Sequence, residues 1–185
     1  MEPEFGKMHV TVLCEDIAHY DFIRTYLTEL GVQPRNVKRN PKAHNNGTVK
    51  SQYPKAMTSL PKQDRNKKYF LIVMTDSDNM TFEEKQAEFD GVAARSERTL
   101  RFFPTRNIES WLYFIDSGNT DAETLEISKS TQGSIKLEAP DFKSQYRKKA
   151  SQFSKKLKLE ICPNGLPEDA PASLLDACQE LKRLH

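Results

Sequence analysis

This 185-residue chain has few cysteines and glycines, three and seven respectively, and only one tryptophan. It also has no long hydrophobic run. No apolar run approaches the roughly 20 residues that a transmembrane helix needs, and the N-terminus lacks the basic-then-apolar pattern of a signal peptide. We therefore expect a cytoplasmic protein that does not insert into a membrane. Hydrophobic residues at 37% and charged residues at 29% are typical of one globular domain.

The three cysteines exclude two common kinds of scaffold. Cys14 lies in a predicted strand, whereas Cys162 and Cys178 lie far apart near the C-terminus, and none forms a CxxC pair. This spacing does not favour a zinc site, and an odd number of cysteines does not favour a disulfide framework. A glycine-rich phosphate loop is absent as well, which argues against a nucleotide-driven motor within this chain.

The net charge is only +2, but the basic residues are unevenly distributed. Between Arg35 and Lys68, ten basic residues stand against a single acid, Asp64, and a second basic cluster spans residues 143–158. Such stripes are typical of proteins that bind a polyanion, although they also occur as plain solvated faces. We expect a nucleic acid as partner, and the candidate contacts are Lys38, Arg39, Lys42 and Lys50.

Hydrophobic strands alternate with helical patterns along the first two thirds of the chain. Strands are predicted at 9–14, 36–39, 69–75 and 99–104, and helices at 17–30, 51–66, 82–95 and 105–115, with a loop at 40–47. This alternation predicts an α/β fold with a mostly parallel, Rossmann-like sheet flanked by helices over residues 8–115. Residues 116–185 are predicted to form a mostly helical extension packed on that core, with helices at 141–159 and 172–184.

Acidic residues follow three of the predicted strands. Glu15 follows the first strand, Asp76 and Asp78 follow the long apolar strand, and Glu109 lies beyond the next one together with Arg106. The functional crevice of an open α/β sheet lies outside the carboxyl ends of its strands. If the backbone stays extended, Asp76 and Asp78 project to the same side and repel each other unless a cation bridges them.

A hard divalent cation, Mg²⁺ or Mn²⁺, is the ion that such oxygen ligands favour. Simpler interpretations remain open for the same residues. Asp76 and Asp78 fit ordinary turn chemistry and helix capping, and Glu15 or Asp16 fits a helix N-cap. Glu109 is equally compatible with an ion pair to Arg106.

A glutamate after one strand and an Asp-x-Asp sequence after another resemble the topoisomerase–primase (Toprim) domain. The likeness lies in residues 12–16, 21–23 and 71–79, and it extends over about residues 8–115. Residues 104–111 resemble the small Toprim proteins related to the overcoming-lysogenization-defect (OLD) nucleases and other bacterial defence proteins. Many Toprim proteins carry glycine after the strand-end glutamate, where this chain has Asp16, an additional carboxylate beside the site.

The resemblance implies a divalent-metal site used for phosphodiester cleavage or transfer. Asp76 and Asp78 would bind the metal, and Glu15 would bind a second ion or act as general base. Glu109 would supplement the metal site, and Arg106 would neutralise charge on the phosphate.

Three functions are compatible with these patterns. The first is a metal-dependent nuclease, plausibly in antiviral defence. The second is a Toprim-fold nucleic-acid-binding or partner subunit that acts only with another protein, such as an ATPase. The third is a phosphohydrolase or nucleotidyl transferase acting on small phosphate esters. The C-terminal helices offer a surface for a homo-oligomer or a partner.

Overall fold

A four-stranded parallel sheet forms the centre of the computed structural model, which describes residues 4–63, 65–78, 80–119, 148–161 and 165–184. The strands lie in the order β2-β1-β3-β4. They are β1 (Met8–Cys14), β2 (Val37–Arg39), β3 (Lys68–Met74) and β4 (Thr99–Phe102). Every strand pair is parallel, so the predicted α/β class with a flanked parallel sheet is confirmed.

Helices cover both faces of the sheet. They are α1 (Ile17–Glu29), α2 (Asn46–Thr58), α3 (Phe82–Asp90), α4 (Ile108–Ser117), α5 (Ala150–Lys156) and α6 (Ala172–Lys182). A π-helical turn, Leu157–Ile161, continues α5. Helix α5 packs on α1 and α6 packs beside β4, so the described C-terminal helices belong to the same core. In the described part of the chain, no helix has the length and apolar character that a membrane crossing requires.

The central strands are buried on both faces, as the continuous apolar run of β3 predicts. Val12 and Ile72 point into a core shared with α1, α4, α5 and α6. Leu13, Leu71 and Val73 point the other way, into a second core shared with α2 and α3. Because successive side chains of a strand alternate between faces, both sides of the sheet exclude water.

The prediction for α2 was wrong at its start and at its end. The helix begins at Asn46 rather than Ser51, because Asn45 and Thr48 form a reciprocal capping box: the Asn45 side chain accepts from the Thr48 N–H at 2.8 Å, and the Thr48 hydroxyl accepts from the Asn45 N–H at 3.0 Å. The predicted loop 40–47 is correspondingly shorter. Pro54 lies inside the helix, which ends at Thr58.

Other boundaries moved by a few residues. Helix α3 ends at Asp90 instead of residue 95, and α4 begins at Ile108 because the side chain of Asn107 caps it. The predicted basic helix 141–159 is observed over Ala150–Lys156, and its first part, 141–147, lies outside the described residues. The last helix was predicted correctly to within two residues of its end.

Candidate functional site

The strand order places a topological switch point between β1 and β3. From β1 the chain crosses to β2 on one side, returns to β3 on the other side, and continues outward to β4. A crevice forms at such a point, beyond the carboxyl ends of the two central strands. In this sheet Cys14 pairs with Met74, so Glu15 and Asp76, which follow these residues, meet at that crevice.

Glu15 is held by the backbone and side chain that follow β3. Its Oε1 atom accepts hydrogen bonds from the Thr75 hydroxyl and, at 2.7 Å, from the Asp76 N–H. Burial and the nearby charge of Asp76 raise the pKa of Glu15, although the two hydrogen bonds oppose this rise. Within the described chain, no hydrogen bond engages the second oxygen, Oε2.

His19 is a fully buried side chain that joins two aspartates. Its Nδ1 lies 2.8 Å from Oδ1 of Asp16, and its Nε2 lies 2.9 Å from Oδ1 of Asp76. Burial lowers the pKa of His19, but the charges and hydrogen bonds of Asp76 and Asp16 outweigh it and hold the pKa well above its ordinary value. Because an ionised carboxylate only accepts hydrogen bonds, the two short contacts fit a ring that donates from both nitrogens, to Asp16 and to Asp76.

Asp76 is positioned by three elements at once. Besides His19 on α1, the N–H of Ile108 at the start of α4 donates to the same Oδ1 atom at 2.8 Å. A helix N-terminus favours a negative charge, so α4 and His19 both stabilise the carboxylate. Only 6% of Asp76 is exposed, and its other oxygen, Oδ2, has no hydrogen-bond partner among the residues that the structure describes.

Glu15, His19 and Asp76 could together hold a metal ion, since one potential ligand atom from each lies within 4.8 Å of the others. The chemistry of the donors narrows this set. Both nitrogens of His19 already donate to carboxylates, so His19 orients Asp76 rather than offering a lone pair. Each carboxylate has one oxygen that no described residue engages in a hydrogen bond. Mg²⁺ is commonly bound by one or two carboxylates of a protein. The residues present thus fit a hard divalent cation.

Asp78 lies apart from this set. Its backbone is left-handed, with φ 54°, so the chain does not stay extended between the two aspartates. The side chain is exposed, and its Oδ2 accepts a 2.9 Å hydrogen bond from the amide of Asn46. The parallel strand ends thus bring Glu15 and Asp76 together. The extended backbone that would place Asp78 on the same side as Asp76 is not observed, because the turn directs Asp78 toward the start of α2.

A buried lysine supports the same turn. Lys85 on α3 is 2% exposed, and its Nζ donates to Oδ1 of Asn46 at 2.9 Å and pairs with Glu88 at 3.0 Å. The Asn46 amide also reaches the carbonyl oxygen of Asp76 at 3.4 Å. Asn46 therefore links a buried cation on α3 to both aspartates that follow β3.

Glu109 and Arg106 do not belong to the group formed by Glu15, His19 and Asp76. Glu109 is completely buried in the first turn of α4. Arg106 lies half-buried in the connection between β4 and α4, with a left-handed backbone of φ 65°. That Glu109 supplements a metal site and that Arg106 neutralises the charge of a phosphate both remain predictions.

The four basic candidates divide into two kinds. Arg39 donates to the carbonyl oxygens of Glu15 and Ala43, and Lys50 pairs with Glu88 at 2.8 Å, so both are bound to the protein itself. Lys38 is exposed on β2, level with Thr11 of β1, and Lys42 is exposed in the segment after β2. These two are available to an anion.

His19, Asn46 and Lys85 were not identified from the sequence. His19 carried a weak signal, since it lies one helical turn after Glu15 and three residues after Asp16. Asn46 and Lys85 carried none, because their partners come from other segments.

No protein family, curated protein or solved structure matches the chain, and the case for a function rests on the site itself.

Proposed function

We propose that this chain is a divalent-metal-dependent nuclease of Toprim type, which hydrolyses phosphodiester bonds of DNA or RNA. One observation carries the proposal: Glu15 and Asp76 meet at the switch point of a parallel sheet, and each presents one oxygen that the described protein leaves without a hydrogen bond. Two fixed carboxylates at one crevice favour a bound cation. The resemblance to Toprim defence proteins extends the proposal to antiviral defence.

Glu15 and Asp76 would hold Mg²⁺ or Mn²⁺ by their carboxylates. A metal bound there would supply a polarised phosphoryl oxygen and an activated water. His19 on α1 keeps Asp76 in place through its hydrogen bond, and Asn46 on α2 holds the turn that follows. Lys38 and Lys42, exposed on the β2 side, bind phosphates of the strand and position it without reading its bases.

The test is cleavage of plasmid and of labelled oligonucleotides, as DNA and as RNA, in Mg²⁺ or Mn²⁺ and in EDTA. We expect metal-dependent cleavage that Glu15→Gln and Asp76→Asn each reduce by about 100-fold or more, because each removes a charged ligand. Glu83→Gln, on the exposed side of α3, is the control and should cleave like wild type. Equal cleavage by wild type and both site variants would remove this carboxylate pair as the catalyst.

A further inference from the structure

Two exposed apolar side chains flank the carboxylate pair. Among the described residues, three large hydrophobic side chains are exposed: Ile17 at 56%, Met80 at 39% and Leu159 at 50%. Single exposed hydrophobic residues are ordinary on a protein surface. The first two, however, lie in the segments after β1 and β3, within four residues of Glu15 and Asp76, whereas Leu159 lies in the π-helical turn after α5.

Ile17 and Met80, here called the apolar pair, lie in the segments that follow the two central strands, β1 and β3. Ile17 opens α1 directly after the cap Asp16, two residues beyond Glu15. Met80 lies two residues beyond Asp78, and its N–H donates to the Ser77 carbonyl at 3.0 Å, which closes the turn after β3. Because β1 and β3 are adjacent and parallel, the pair emerges from the same edge of the sheet as Glu15 and Asp76.

The surroundings of the apolar pair match one kind of ligand. Carboxylates that favour a cation follow the two central strands, exposed lysines at positions 38 and 42 lie on the neighbouring strand β2 and in the segment after it, and the apolar side chains lie within four residues of the carboxylates in the sequence. A nucleotide chain offers a phosphate to the lysines and to a cation held by the carboxylates, and it offers the flat face of a base to the apolar side chains. In a continuous duplex those faces are stacked on their neighbours, so only unpaired nucleotides offer them freely.

We propose that Ile17 and Met80 pack against the bases on either side of the bound phosphate, and that the protein therefore prefers single-stranded nucleic acid over duplex. Aliphatic side chains contact unstacked bases in this way in proteins that insert wedges between base steps. The inference rests on the proposed function for the phosphate between those bases. It goes further in naming the form of the substrate.

The experiment compares binding and cleavage of one sequence as a single strand and as a blunt duplex. Binding is measured by fluorescence anisotropy in Ca²⁺, and cleavage is measured separately in Mg²⁺. We expect wild type to bind the single strand about tenfold more tightly than the duplex, and Ile17→Ser and Met80→Ser each to weaken single-strand binding about three- to tenfold. Leu159→Ser is the matched control, because it removes an equally exposed apolar side chain away from the crevice.

The two readouts separate the inference from the function on which it rests. Discrimination in binding without any cleavage would support the apolar pair and contradict the nuclease. Cleavage with equal affinity for both forms, or Ile17→Ser and Met80→Ser variants that match Leu159→Ser, would overturn the apolar pair and leave the nuclease standing. A wild-type protein that binds neither form would overturn both.

Discussion

The backbone N–H of Asp78 donates a 3.1 Å hydrogen bond to the carbonyl oxygen of Arg106, and both residues adopt a left-handed backbone, with φ of 54° and 65°. Such a conformation costs a residue with a side chain about 1–2 kcal/mol. Two adjoining loops therefore carry strain at the same place, beside the carboxylate pair. Strained backbone of this kind concentrates at functional sites.

The strain at Arg106 can be isolated by comparing two substitutions that both remove its side chain. We expect Arg106→Gly to be more stable than Arg106→Ala by about 1 kcal/mol, because glycine adopts a positive φ without a Cβ clash. Urea denaturation measures the difference. Equal stability of the two variants would show that the loop relaxes and that no strain is stored there.

The bridge between His19 and Asp76 can be measured with a double-mutant cycle. His19→Leu leaves Asp76 buried without its cation and should lower the free energy of unfolding by about 3 kcal/mol or more. Asp76→Asn in the same chain should recover part of that loss, with a coupling of about 1–3 kcal/mol. Fully additive losses would contradict a direct interaction between the two side chains.

The ligand set makes a prediction about metal-induced stabilisation. Saturating Mg²⁺ or Mn²⁺ should raise the thermal unfolding midpoint of the wild-type protein. A metal concentration a hundredfold above Kd adds about 2.7 kcal/mol to the free energy of unfolding. Glu15→Gln and Asp76→Asn should lose this shift, whereas Asp78→Asn should keep most of it, because Asp78 lies outside the carboxylate set. Glu83→Gln serves as the control. If Asp78→Asn abolishes the shift as completely as Asp76→Asn, then Asp78 is a ligand after all.

Asp176 on α6 gives the stability a pH dependence. Burial, and after it the charge of Glu180, raise the pKa of Asp176 from 3.8 to about 6, against an opposing contribution from Arg95. Below about pH 4 the folded and unfolded chains both carry the proton, so there is no penalty. Between about pH 4 and pH 6 the unfolded chain gives up the proton that the folded chain keeps, so the stability falls over this range and levels off above about pH 6, where the folded protein carries the half-buried charge.

Asp176→Asn should remove that fall. Two pKa units correspond to about 3 kcal/mol, and solvent screening of a half-exposed group reduces the expected gain at pH 7.5 to about 1–2 kcal/mol. At pH 4 the substitution should have little effect. Denaturation curves at both pH values test this, with Asp169→Asn, on an exposed residue, as control. A gain that is the same at both pH values would point to packing rather than to charge.

Local patterns predicted what depends on neighbours in the sequence. The apolar run before Asp76 predicted a doubly buried strand, and Gly31, with its φ of 102°, marked the end of α1. Asp16 is the N-cap that a simpler interpretation allowed, with its side chain accepting from the N–H groups of Ala18 and His19. The meeting of Glu15 and Asp76 followed from the geometry of parallel strand ends.

Partners distant in the sequence escaped prediction. The contact that gives His19 its role is with Asp76, 57 residues away, and that of Lys85 is with Asn46, 39 residues away. The direction of Asp78 depends on hydrogen bonds to Asn46 and to the backbone of Arg106, which no local pattern contains. Turn conformation set by tertiary contacts is the part that spacing alone cannot supply.

The register that pairs Cys14 with Met74 also governs when the carboxylates meet during folding. A nascent or partly folded chain holds Glu15 and Asp76 on separate segments, and each remains an ordinary solvated acid. Parallel pairing over such a separation forms late, since a long loop must close before any strand contact repays it. The proposed cation site would therefore form in the same cooperative step as the sheet, and an incompletely folded chain would lack it.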